Sequence, residues 1–423
     1  MTSNSHSEKA LVGHPSAITS WFSPGLLVLA IVVHVALAAG YNFTQDDAYI
    51  TFRYAENFVG GHGLVFNVGE RVEGYTNFFW LILMILGRLF GFDLAVFSRI
   101  LGVVCGVGTI GLSYLLSGLV FEARSLWRGA SSLLLGAAYS FAYWSVAGLE
   151  TAAFGLAVVC SLYLYLRRSS LAGPVLVLAT LLRPEGGLVF VFIAAYEIIS
   201  RRSFSRYVLV IGGVYITCLM PYLIFKQIYF GGLLPNPFYA KAGFTVGKLR
   251  DGLEYTGLYF WHYLGAGLFV LPALFAVKHK GKGVHVFLLV FVAVYTLYVM
   301  LIGGDVLKVH RFFIPVMPVM AVLVSMGISY VFPKKILAGA SFFAIITWQL
   351  FIPENHVAYF HTAETLLTAK MNNLAESLLK VDDSNFSLAA STIGIIAYKL
   401  QGHTVIDMLG LTDTTIARHP EPR

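Results

Sequence analysis

Two adjacent carboxylates, Asp46 and Asp47, stand in "FTQDDAYITFRYAENFVGGHGLVFNVGERVEGYTN", residues 43–77, directly after the first apolar run of the chain. A carboxylate held just above a bilayer can take the proton of an attacking hydroxyl, or bind a metal, while a leaving group stays with a lipid. Helix capping is the structural alternative. Thr44 as N-cap with Asp47 three residues on fits a capping box for a helix over 47–59, stopped by Gly60 and Gly61. That accounts for Asp47 and leaves Asp46 unexplained. Ile50, Tyr54, Ala55 and Phe58 make an apolar stripe at helical spacing, which places this helix on a membrane surface. Neighbouring side chains on a helix point about 100° apart, so the pair suits a metal-free base better than a shared divalent ion.

Further polar groups are candidates for the same site: Glu150 in "AGLET", Asn236 and Lys241 in "LLPNPFYAK", and Asp305, Lys308, His310 and Arg311 in "GGDVLKVHR". Each also has a structural reading. Glu150 suits the start of a helix, Lys241 a solvated loop, and Arg311 an interfacial position from which it snorkels. Arg183 and Glu185 in "RPEG" lie in a short hairpin, where charges are costly unless paired or used, so they are either a structural ion pair or part of the site. The chain has no Gly-rich phosphate loop of the Walker or Rossmann type. Cys105, Cys160 and Cys218 lie inside apolar runs without metal-type spacing and read as packing residues.

The elements that must position these groups are membrane helices. With 57% hydrophobic and 12% charged residues among 423, the composition excludes a soluble globular protein and implies an all-α polytopic membrane protein. The net charge of +7 does not signal a nucleic-acid partner, because Lys and Arg cluster between apolar runs, where they report topology. "FFWLILMILGRLFGF", 78–92, has an apolar stretch of about ten residues before Arg88, too short to span. Reading it as a juxtamembrane helix makes 42–93 one exoplasmic loop. All basic clusters then fall on the cytoplasmic side, with the N-terminus inside and the C-terminus outside. Residues 171–200, flanked by basic residues, form a hairpin of two short helices around "RPEG", and the total is about eleven membrane helices. "LLVLAIVVHVALAAG" also fits a signal peptide, but Lys9 is the one Lys or Arg before it, which favours an uncleaved first span. The membrane domain is expected over 1–352. Polar residues 353–423 follow, with "FSLAASTIGIIAYKLQGHTVIDMLGLTD" reading as strand, short helix, strand of a small α/β segment. The chain stops at "ARHPEPR", so that segment is either minimal or truncated.

The stretch "DDAYITFRYAENFVGGHGLVFNVGERVEGYTNFFW" resembles the first exoplasmic loop of GT-C superfamily glycosyltransferases, particularly the group of the mycobacterial terminal β-arabinofuranosyltransferase. "RPEG", "PNPFYAK", "GGD" followed by "HRFFIP", and "VIDMLGLTD" are similar to later signatures of that group, in the same order, so the resemblance runs from about 40 to 415. It implies a GT-C type bundle and an inverting transfer of a sugar, arabinofuranosyl in this group, from a polyprenyl-phosphate donor to a glycan, glycolipid or protein acceptor outside the cytoplasmic (inner) membrane. It implies Asp46 as general base and Asp47 as helper or alternative base. Lys241, His310 and Arg311 are the cations chosen to hold the donor phosphate. No cofactor is implied firmly, and a divalent metal is the less favoured alternative. Pro237 stands where the motif more usually has Thr, and larger members continue much further at the C-terminus. The rival readings are a transporter or flippase of lipid-linked sugar, a membrane-bound ligase of the O-antigen polymerase type, and a non-catalytic relative.

Overall fold

The computed structural model describes residues 17–241, 246–275, 283–381 and 386–419. Helix α1 (Ala17–Gly40) and helix α4 (Leu94–Ser117) run antiparallel. Ser23 near the start of α1 meets Tyr114 near the end of α4 (3.4 Å), Gly106 faces His34, and Arg99 hydrogen-bonds Asn42 just beyond α1. The chain between them therefore leaves and re-enters the bundle at one end. It carries α2 (Asp46–Val59) and α3 (Phe78–Leu89), the latter 12 residues and too short to cross. Helix α5 (Leu126–Gly136) runs parallel to α1: a Cβ on Gly129 would strike the Ser23 carbonyl and one on Gly136 the Ala30 carbonyl. Both steps are two helical turns, so the glycines lie on one face and let the backbones touch, as small residues do between membrane helices.

Helix α6 (Tyr139–Val146) turns by 115° into α7 (Thr151–Leu166), with Glu150 at the bend. Next come α8 (Ala172–Leu182) and α9 (Glu185–Arg201), the two arms of the expected hairpin around Pro184, then α10 (Arg206–Phe230), α11 (Asn236–Lys241) and α12 (Val246–His262). Helix α13 (Leu264–Phe269) opens a segment bent 95° from α12. Helices α14 (Gly283–Leu301), α15 (Met317–Val331), α16 (Lys335–Phe351) and α17 (Glu354–Val381) follow, with a 3-10 turn at Arg311–Phe313.

Among the described residues, 5 helices are long and apolar enough to cross a bilayer, or up to 7 if each bent pair counts as one. The difference from eleven is physical. Helix α8 has 11 residues and α15 has 15, below a straight span, and the apolar run after Ser125 breaks between α5 and α6. The run Lys335–Val381 has 47 residues, roughly 70 Å of helix, so it must project well beyond a bilayer. Its second half, α17, lies where no helix was expected. Beyond it, β1 (Ser387–Ala390), α18 (Gly394–Lys399) and β2 (Thr404–Asp407) follow the anticipated order, with the strands parallel and Ser387 opposite Thr404. Ile396 and Leu400 pack on Ala375 of α17. A last short helix, α19, spans Thr414–Arg418.

Candidate active site

Helix α2 begins at Asp46, with Gln45 in the capping position and no side-chain cap bond, so the capping box from Thr44 to Asp47 does not form. The roles of the two acids are instead exchanged. The Asp46 carboxylate accepts the backbone N–H of Gly394 (2.9 Å) and of Ile395 (2.9 Å). It is thus bound to the N-terminal amides of α18, where a negative charge complements the helix dipole. Arg53 lies seven residues along α2, two turns and about 10 Å away on the same face. Its guanidinium donates to the carbonyls of Ala397, Leu400 and His403 at the other end of α18. Both ends of α18 are thus held by opposite charges from one face of α2. Asp47 is half-buried and has no hydrogen-bond or ion-pair partner among the described residues.

Asp46 is 5% exposed, and its backbone N–H donates to Glu364 Oε1 (2.9 Å) on α17. Burial, reinforced by the charge of Asp47, pushes the Asp46 carboxyl up to about 6, although its two backbone hydrogen bonds pull it down. Burial likewise raises Glu364 to about 7, helped by the charges of Asp46 and Asp47. Phe43 and Tyr41 pack edge-on against His361 one turn earlier on α17, and both also pack against Tyr143, so the acidic pocket has an aromatic wall.

A second polar group lies at the same end of the bundle. Arg183 donates to Glu150 (2.8 Å) and Glu185 (3.0 Å), and Asn77, from the first loop, donates to the other oxygen of Glu150 (2.9 Å). Arg311 grips Asp305 with two bonds, 2.6 and 3.1 Å. Phe312 lies 5.2 Å from the Arg183 guanidinium and 5.7 Å from that of Arg311, so the two ion pairs share one ring. Two guanidiniums face three carboxylates here, which leaves no surplus positive charge. "RPEG" is thus an ion pair joined to the first loop through Glu150.

The remaining candidates do not converge on this point. His310 is fully buried and hydrogen-bonded to His262 (2.9 Å), and takes no part in an ion pair among the described residues. Asn236 donates to the carbonyls of Gly410, Leu411 and Asp413 and clips α11 to the C-terminal segment. Lys308 is exposed and forms no ion pair among the described residues. The side chain of Lys241 lies outside the described residues. The sequence reading missed Arg53, Glu364, and the buried pair of Glu73 with Lys226 (2.9 Å). Arg53 carried a readable signal, a lone cation two turns from Asp46. Glu364, in an unremarkable polar helix, carried none.

Comparisons with known proteins bear on the fold that carries these residues. Residues 359–423 match a family described as a domain of unknown function, DUF8728. Over 236 residues the chain is 29% identical to the terminal beta-(1->2)-arabinofuranosyltransferase of Mycobacterium tuberculosis, an alignment covering 50% of this chain and 37% of that protein, so the chain spans little more than a third of its length. The archaeal oligosaccharyltransferase AglB of Archaeoglobus fulgidus, in complex with an inhibitory peptide and a dolichol-phosphate, superposes with a TM-score of 0.59 at 12% identity over 94% of this chain and 65% of AglB. ArnT of Cupriavidus metallidurans bound to undecaprenyl phosphate gives 0.59 at 14% identity, over 95% and 77%. The chain is a multi-pass membrane protein that shares the fold of these two structures.

Proposed function

We propose that the chain is an inverting glycosyltransferase that moves a sugar, arabinofuranosyl in the first instance, from a polyprenyl-phosphate donor to a cell-envelope glycan, glycolipid or protein acceptor. The observation that carries this reading is a buried carboxylate of raised proton affinity, Asp46, held by two backbone amides where the first loop meets the bundle. The sequence likeness to an arabinofuranosyltransferase supports the sugar, and the GT-C fold supports the class. The chain would lie in a bacterial inner membrane, its site and C-terminal segment on the exoplasmic side.

Each Asp46 oxygen spends one lone pair on an amide and keeps another, so the carboxylate can still take a proton from an acceptor hydroxyl attacking the anomeric carbon. The phosphate leaves on the opposite face. Arg311 would stabilise it by exchanging Asp305 for the leaving oxygen, with Lys241 as a second cation. Asp47 is the second candidate for the base, favoured by its unpartnered oxygens. The test is a transfer assay with purified protein in detergent, polyprenyl-phosphoryl arabinofuranose and a glycan acceptor, scoring the anomeric configuration of the product. Product of inverted configuration is expected. Transport of intact lipid-linked sugar in vesicles, with no new glycosidic bond, would instead establish the transporter reading.

A further inference from the structure

We propose that His262, His310 and His356 form a binding site for a divalent transition-metal cation, zinc(II) by its donor set, independent of the transferase reading. One ring nitrogen from each residue lies within 4.8 Å of the others, the one such group among the described residues. His262 Nδ1 and His310 Nε2 are 2.9 Å apart. Two nitrogens bound tetrahedrally at zinc distances stand roughly 3.4 Å apart, so this pair needs to open by only about half an ångström.

The three residues come from three elements: the end of α12, the loop before the 3-10 turn, and the first turn of α17. His310 is 0% exposed, and its Nδ1 has no hydrogen-bond partner. With no competing partner, Nδ1 can carry the ring proton, which leaves the Nε2 lone pair, facing His262, for a metal. The His310 backbone is left-handed, with φ of 56°, a sparsely populated conformation for a non-glycine residue that the surrounding packing must hold. His356 Nε2 donates to the Lys308 carbonyl (2.8 Å), which fixes its tautomer and leaves Nδ1 as the lone-pair nitrogen. Histidines that bind metals are commonly oriented by such a bond from the other ring nitrogen.

Three neutral imidazoles without thiolate or carboxylate suit zinc, copper or nickel and disfavour magnesium and calcium, which prefer oxygen. Tyr255, Tyr259 and Tyr263 pack around His310 and close the site on that side, while the partial exposure of His356 leaves a way in and an open coordination position. A bound ion would tie the loop that carries Arg311 to the helix that carries Glu364, and so couple the two polar groups of the candidate active site.

The full chain, purified with a tag free of histidine and stripped with a chelator, would be titrated with cobalt(II) and then zinc(II). About one tightly bound cobalt per chain is expected, with a ligand-field absorption spectrum that zinc abolishes and a thermal midpoint that zinc raises. His356→Ala, at a partly exposed position, should weaken binding by roughly tenfold or more. His356→Cys should restore binding and add thiolate-to-cobalt absorption. The proposal is overturned if the wild-type chain binds no cobalt, or if affinity and spectrum are unchanged in both His262→Ala and His356→Ala.

Discussion

Burial and two backbone amides pull the Asp46 carboxyl in opposite directions, and burial wins, leaving it near 6. A base must be ionised, so transfer should fall on the acid side with an apparent pKa near 6 in a pH–rate profile. Stability should move the other way. The folded-state value lies above the ordinary 3.8, so the native protein binds more protons than the unfolded chain, and this group's contribution falls as pH rises from about 4 to 6. Thermal melts over that window should therefore show no acid-side loss from Asp46, which separates lost protonation chemistry from lost structure. At this scale the sequence was partly legible. Adjacent acids after a first span announced the site, but which acid is held and which is free depends on α18, some 350 residues away. The sequence reading assigned the cap to Asp47, and the structure gives that work to Asp46 on another helix.

The clamp of α18 by α2 is a property of elements. Gly394 sits against the Asp46 backbone and carboxylate with no room for a methyl group. Gly394→Ala should therefore lose about 1–3 kcal/mol in denaturant unfolding. Arg53→Lys keeps the charge but not the fork that reaches three carbonyls, so it should loosen the C-terminal end of α18 while leaving Asp46 in place. Greater protease sensitivity near residue 400 with the maximal rate retained is the expected result. Glu73 and Lys226 form a buried pair, to which Tyr222 adds a hydrogen bond (3.0 Å). Lys226→Met should cost about 3–5 kcal/mol by stranding the carboxylate, and adding Glu73→Gln should recover much of it. An apolar stripe at helical spacing exposed α2 in the sequence, and the hairpin of α8 and α9 and both strands of the C-terminal segment were legible there too. Bends such as that between α6 and α7, and the length of α17, were hidden because tertiary packing and not local pattern sets them.

For the whole molecule, the first loop and the last residues behave as one body across the mouth of the bundle. Asn67 donates to the Val405 carbonyl (3.0 Å), Asn236 to three carbonyls between 410 and 413, and Asp46 and Arg53 hold α18. A chain ended at residue 385 takes from Arg53 both those acceptors and the helix that covers it, so amide exchange over 46–67 should quicken markedly compared with the full chain. The same closure bears on catalysis, because α18 covers the carboxylate proposed as base. The measurement that tests this account most directly is the rate of arabinofuranosyl transfer at saturating donor for Asp46→Asn and Asp47→Asn beside the wild type, with Arg53→Lys as the control for a loosened clamp. A drop of about a hundredfold or more in Asp46→Asn, with Arg53→Lys near wild type, is the predicted result. Undiminished transfer by Asp46→Asn would leave that carboxylate as a helix cap and contradict the account.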